Sequence, residues 1–239
     1  MTTSIVAPAN EMIFGALPIE PEEIVELLGR TISYNTVAGF CRPTKKNPLE
    51  MENPRTHTTP WTRGIYCTLK EHLEAVKGQA VFTNPEGKKS EFMLDFLWLD
   101  EVDKYHRRAL MGMECEWARQ RTEDPYEAVR RDFTKLLHFK APLKVLVYEC
   151  PDVDRDRIRD MLRSCLSRFE QHVGGECYVF VEFLGIIPKC PSEACPQEAW
   201  EFRVEQNGIP PKVEFQPVRP KIEQVVSVET SPAKRDGIT

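Results

Sequence analysis

The sequence predicts an α/β protein with one mixed central sheet flanked by helices, and three observations predict it. Short apolar or aromatic runs bounded by charged turns recur at residues 79–82, 92–99, 109–117, 144–148 and 178–184, the mark of buried strands. Apolar residues at helical spacing lie between them, giving the order helix, three strands, helix, strand, helix, strand. The run Lys144 to Tyr148 has no room for a hairpin from its predecessor, which implies a helical crossover and parallel pairing. With 239 residues, 41% of them hydrophobic, the chain suffices for one sizeable core rather than two full domains.

The elements follow in order. Residues 1–20 show no sustained period and read as a loose arm. The stretch from Pro21 to Gly29 reads as a short helix, with proline in its first turn, acids near its start and glycine at its end. Between Cys41 and Pro60 the composition is rich in Pro, Thr, Asn and Lys and predicts a long loop. Ile65, Leu69, Leu73 and Val76 then predict a helix from Trp61 to Val76, stopped by Gly78. Residues 79–82 and 92–99 form a hairpin through Asn84 to Gly87, and the third strand follows a charged turn from Asp100 to Arg108.

Asp124 caps the next helix, Pro125 fits its first turn and Glu127 completes a capping box, with Val129, Phe133, Leu136 and Leu137 as the buried stripe. Ile158, Leu162, Leu166 and Phe169 predict a helix from Asp154 to about His172, ended by Gly174 and Gly175. Glu198 to Gln206 reads as a short edge strand. The core domain is thus expected over residues 61–208, preceded by an arm, a short helix and a loop over 1–60. Residues 209–239, dominated by Pro, Lys, Glu, Ser and Thr, are expected to be an extended or disordered tail.

Composition narrows the function classes. No run is apolar for long enough to span a bilayer, and the start of the chain lacks a basic segment followed by a hydrophobic stretch, so the expected location is the cytoplasm. A net charge of −5 argues against a protein that coats nucleic acid without regard to sequence. Local basic groups remain around the third strand, namely Arg107, Arg108, Arg119, Arg121, Arg130, Arg131, Lys140 and Lys144, each read by itself as a solvated charge. The eight cysteines are scattered and read as reduced thiols; Cys190 and Cys195 with Cys150 or Cys177 assemble a zinc site only on paper, for want of a second knuckle. The five histidines show no paired metal spacing and read as surface or boundary residues.

Chemistry concentrates between Phe92 and Leu146. Glu114 and Glu116 are two apart on a strand and therefore share a face, together with Leu110 and Gly112, while Asp95 lies in the preceding strand between Met93 and Leu97. Carboxylates on a buried sheet face take up protons or find a cation, and adjacent ones also repel. A hard divalent ion such as Mg2+, with Mn2+ as a substitute, satisfies all three. The alternative for the two glutamates is an edge strand whose acids face water, and for Asp95 the competing residue is Asp100, read as a turn residue.

The element order, the aspartate on the second strand and the acid-x-acid pair on the third resemble the PD-(D/E)XK superfamily of nucleases, with their restriction-endonuclease-like fold, over residues 61–185. The resemblance implies a metal held by Asp95, Glu114 and the carbonyl of Cys115, and a metal-dependent phosphodiesterase acting on DNA or RNA. Glu116 stands where most members carry lysine. Some members look similar in having glutamate there, and others move the lysine to the next helix, where Lys135 is the candidate. Lys135 falls off the Val129, Phe133 and Leu136 stripe and shares a shoulder with Asp132, so a solvated lysine in a local ion pair is the competing reading. Glu71 or Glu74 is expected to add an outer contact. The rival functions are a catalytically inactive member of the same fold serving as an interaction or nucleic-acid-binding module, and a different metal-dependent hydrolase on a similar mixed sheet acting on small phosphate compounds; a homodimer is compatible with each.

Overall fold

Among the described residues, a row of seven strands laid side by side in chain order organises the fold. The computed structural model describes residues 14–37, 60–76, 79–82, 94–101, 107–117, 124–150, 152–184, 197–205 and 213–219. Its helices are α1 (Pro21–Val37), α2 (Pro60–Val76), α3 (Pro125–His138) and α4 (Arg155–Arg168). Its strands are β1 (Gln79–Phe82), β2 (Phe96–Glu101), β3 (Arg107–Glu116), β4 (Leu143–Cys150), β5 (Cys177–Leu184), β6 (Gln197–Arg203) and the two-residue β7 (Gln216–Pro217). The sheet order is β1-β2-β3-β4-β5-β6-β7. β1, β2 and β3 form an antiparallel meander, β3, β4 and β5 run parallel, and β6 and β7 return antiparallel. α3 and α4 carry the two crossovers, as parallel neighbours require. The described residues form a single mixed α/β domain, and none of their helices is long and apolar enough to cross a membrane.

Side-chain parity splits the core into two layers. On one face Ile24 and Leu28 of α1 and Ile65 and Leu69 of α2 join Trp98, Met111, Val145 and Val179. On the other, Val129 and Phe133 of α3 and Ile158 and Leu162 of α4 join Leu97, Leu146 and Phe180. Strand β4, covered on both sides, is buried at every position, which is why it reads as an unbroken apolar run apart from Lys144 and Glu149.

The local chemistry places α3 as expected: the Asp124 carboxylate accepts from the Tyr126 N–H at 3.1 Å and Pro125 opens the helix. The second half of the capping box is absent, because Glu127 pairs with Arg130 at 2.8 Å. Several other expectations are corrected. α1 continues through Gly29 to Val37. β2 starts at Phe96, so Asp95 sits in the bend just ahead of the strand rather than within it. Asp100 belongs to that strand, where it is opposite Arg108 and accepts from its Nη2 at 3.0 Å. α4 stops at Arg168, and the chain leaves the helix early enough to bring His172 into the core.

Gly175 ends no helix but turns the chain into β5. Its φ of 85° is left-handed, and a Cβ there would come within 2.5 Å of the Phe14 carbonyl oxygen. The arm is fastened at the same place, since the Phe14 N–H donates to the Gly174 carbonyl at 2.8 Å. The tail is likewise ordered in part: Val213 and Val218 are buried and Pro217 pairs with Trp200. The loop expected up to Pro60, the turn from Asn84 to Gly87, Cys190 and Cys195, and residues 220–239 lie outside the described residues.

A bulge in β3 decides which side chains reach the site. Trp98 is opposite Met111 and Leu99 opposite Ala109, so Leu110 is the extra residue. Leu110 therefore packs in the α1/α2 layer, and not beside Gly112, Glu114 and Glu116 as strict alternation predicts.

Candidate active site

Four elements converge on Glu114. β3 supplies Glu114 and Glu116, the bend before β2 supplies Asp95, α3 supplies Asp132 and Lys135, and α2 supplies Tyr66. β3 lies inside the sheet between β2 and β4, and Glu114 and Glu116 are 1% and 3% exposed, which rules out the solvated edge-strand reading. Gly112 explains how α3 and the Asp95 bend come so near. A Cβ on Gly112 would meet Leu94 Cδ1 at 2.7 Å and the Phe139 ring at 2.8 Å, so the space it clears is filled by the residue before Asp95 and the residue that ends α3.

The geometry is a chain of contacts. The Cys115 N–H donates to Asp95 Oδ2 at 3.0 Å. The Asp95 and Glu114 carboxyl groups are close enough to interact directly. Lys135 Nζ donates to Glu114 Oε1 at 3.1 Å and stands 2.8 Å from Asp132 Oδ1. Asp132 is buried, so the pair it makes with Lys135 is no surface ion pair. Tyr66 packs on Phe96 with ring centroids 5.8 Å apart and lies near Asp95 and Cys115.

The electrostatics follow from three acids around the Lys135 ammonium, with the exposed Arg131 guanidinium 3.8 Å from Asp132 Oδ1 on the outer side. Burial, then Asp95 and Asp132, push the Glu114 carboxyl up to about 10, against the opposing pull of Lys135. The Glu114 carboxyl therefore resists ionisation, and the Lys135 ammonium is the group that favours its charged form. Burial also raises Asp95, opposed by the Cys115 N–H and by Glu114. For Lys135 burial opposes the charge, but Glu114 and Asp132 outweigh it and the ammonium is held above its ordinary range. Burial pushes the thiol of Cys115 and the hydroxyl of Tyr66 well up, so neither is a nucleophile at neutral pH.

The sequence-derived candidates Asp95, Glu114 and Lys135 are in contact. Glu116 lies on the same face one row further along, opposite Tyr148, and the Cys115 side chain points into the α1/α2 layer, leaving only its backbone beside Asp95. Glu71 and Glu74 are exposed on α2, with Glu74 paired to Lys70, and it is Tyr66 that reaches the site from that helix. Asp132 is the residue that sequence reasoning left at the surface; its spacing of three from Val129 and four from Leu136 puts it in the buried stripe.

Among the described residues no three His, Cys, Asp or Glu side chains stand as a ready-made coordination shell. The donor chemistry nevertheless suits a hard divalent ion. The donors are carboxyl oxygens, three such groups outnumber the Lys135 ammonium and the Arg131 guanidinium beside Asp132, and Lys135 Nζ itself stands in for a cation at Glu114.

A second buried ionic group lies one strand away. Lys144 Nζ donates to Glu176 Oε1 and to the Tyr178 hydroxyl, both at 2.8 Å, the Tyr178 hydroxyl donates to Glu176 Oε2 at 2.9 Å, and His172 Nδ1 is 3.2 Å from Glu176 Oε2. Lys144 and His172 are thus core residues rather than surface charges. A third joins Glu182 and Glu198 to Arg155 and Arg159 at the start of α4. No family model, curated protein or solved structure matches the chain.

Proposed function

We propose that the protein is a metal-dependent phosphodiesterase of the restriction-endonuclease-like kind, hydrolysing DNA or RNA at the Asp95, Glu114 and Lys135 site. The observation that carries the reading is the excess of three carboxyls over the two cations that meet them, Lys135 and Arg131, at a point where the site reaches solvent through Asp95 and Lys135. The sequential strand order, with β2 antiparallel to its neighbours and β3, β4 and β5 parallel, supports the fold assignment.

Asp95 and Glu114, with the carbonyl of Cys115, would hold the ion. A bound Mg2+ supplies charge neutralisation and Lewis-acid polarisation of a phosphate oxygen, and lowers the pKa of a bound water. Glu116 orients the attacking water and takes its proton; Lys135 places its ammonium against a non-bridging phosphate oxygen. The new bond joins water oxygen to phosphorus, the ester bond to the leaving sugar oxygen breaks, and that oxygen takes a proton from solvent.

The test is cleavage of single- and double-stranded DNA and RNA with Mg2+ or Mn2+, beside a Glu114→Ala, Glu116→Ala double variant. Metal-dependent cutting that drops at least about 100-fold in the variant is the expected result. Equal activity in both removes the Glu114 and Glu116 site as its source, and none in either removes the nuclease reading and leaves an inactive binding module of the same fold.

A further inference from the structure

We infer that Lys135 is the resident counter-ion of the site, which a divalent cation must displace from Glu114, and that Asp132 is the positioning residue that keeps the displaced ammonium at hand. The inference rests on the metal-dependent reading above and adds the order of events at that site.

The two contacts of Lys135 Nζ are not equivalent. The one to Asp132, at 2.8 Å, is made within α3 between residues three apart. The one to Glu114, at 3.1 Å, crosses from α3 to β3. Asp132 is anchored in the buried stripe of the helix, with a side chain 6% exposed, whereas the Lys135 side chain is 30% exposed and can lift toward solvent without crossing the core. A divalent ion at Asp95 and Glu114 would meet the ammonium at the same carboxyl group, and like charges there repel. Lys135 then leaves Glu114 and stays on Asp132, which places a cation at the open side of the site where a phosphate would lie. The lysine thus serves the empty and the loaded site in turn, and Asp132 acts through it.

Calorimetric titration of Mn2+ and of Ca2+ into the full chain tests this without relying on cleavage. The proteins are wild type, Lys135→Met, Lys135→Arg, Asp132→Asn and the Asp132→Asn, Lys135→Met double variant, each checked by circular dichroism and urea midpoint. Removing the competitor is expected to tighten ion binding about tenfold in Lys135→Met, while Lys135→Arg, which keeps the charge, does not tighten it. Asp132→Asn is expected to weaken binding, because the ammonium is left to Glu114, and the double variant is expected to recover the loss. Unchanged or weaker binding in Lys135→Met overturns the counter-ion role. A loss in Asp132→Asn that persists in full in the double variant makes Asp132 a ligand and overturns the tether. Should Lys135→Met not fold, Lys135→Gln is held to the same expectation. Binding by no variant overturns this inference together with the metal-dependent reading; the expected order of affinities without any cleavage supports the inference and removes the nuclease reading alone.

Discussion

Two ionic groups lie under the same pair of helices and differ in how their charges are closed. In the Lys144 group each donor meets an acceptor: the ammonium, the Tyr178 hydroxyl and His172 all converge on Glu176, whose carboxyl is held below its usual range because His172, Lys144 and Tyr178 together outweigh its burial. In the Glu114 group three carboxyls face the Lys135 ammonium and, at Asp132 alone, the Arg131 guanidinium, and burial leaves Glu114 pushed up to about 10. A satisfied buried network specifies the core, while an unsatisfied one stores a need for charge. The first group therefore holds the ends of β4 and β5 together, and the second is where chemistry is expected.

The largest expected effect that would break this contrast is on stability. Glu176→Ala strands a buried ammonium and is expected to cost about 3–5 kcal/mol in urea unfolding. Glu114→Gln removes a charge that already resists ionisation, and is expected to cost less than about 1 kcal/mol in the absence of metal. Similar losses in both variants would erase the distinction.

The pH dependence sharpens it. Glu114 rises from its ordinary 4.5 to about 10 on folding, so the native state keeps a proton that the unfolded chain releases, and its contribution to stability is present below pH 4.5 and lost as pH climbs through about 10. Lys144 falls from 10.5 to about 8, chiefly by burial, so its unfolded form holds the extra proton and its contribution rises with pH between those values. The clean window is therefore pH 4.5 to about 8, where the metal-free protein is expected to lose melting temperature with rising pH and Glu114→Gln to lose less. Parallel curves for the two proteins would contradict the assignment.

Packing comes next: Gly112→Ala pushes against Leu94 and Phe139 and is expected to cost about 1–3 kcal/mol, with lowered activity because both neighbours set the site. The smallest effect compares two tyrosines. Tyr178→Phe deprives Lys144 and Glu176 of a partner, at about 1–3 kcal/mol, whereas the Tyr148 hydroxyl is buried without a hydrogen bond and Tyr148→Phe is expected to stay within about 0.5 kcal/mol. A costly Tyr148→Phe would place that hydroxyl in the working part of the sheet.

Much of this architecture is legible in the chain because periodicity survives in long elements: α2, α3, β4 and β5 lie where apolar spacing puts them. What escapes is what depends on contacts between elements. No local signal marks Leu110 as a bulge, yet it alone shifts the parity of β3. Gly29 reads as a stop, but Ile24, Val25 and Leu28 pack α1 on the core and the helix continues through it. Lys144 and Asp132 carry charges that composition assigns to the surface, although both sit in the apolar rhythm of their elements; the partners that justify their burial, Glu176 and Lys135, come from another strand end and from the next helical turn.

The sequential strand order has a consequence for how the molecule is made. Each described strand pairs with the described strand synthesised before it, so these sheet contacts close over short lengths of chain. Tyr66, Asp95, Glu114, Asp132 and Lys135 have all left the ribosome before β4 begins, and β4 seals the strand that carries Glu114. Assembly in chain order predicts that amides of β2 and β3 gain protection from hydrogen exchange before those of β6, and the reverse order in pulse labelling would show that the parallel half nucleates the sheet instead.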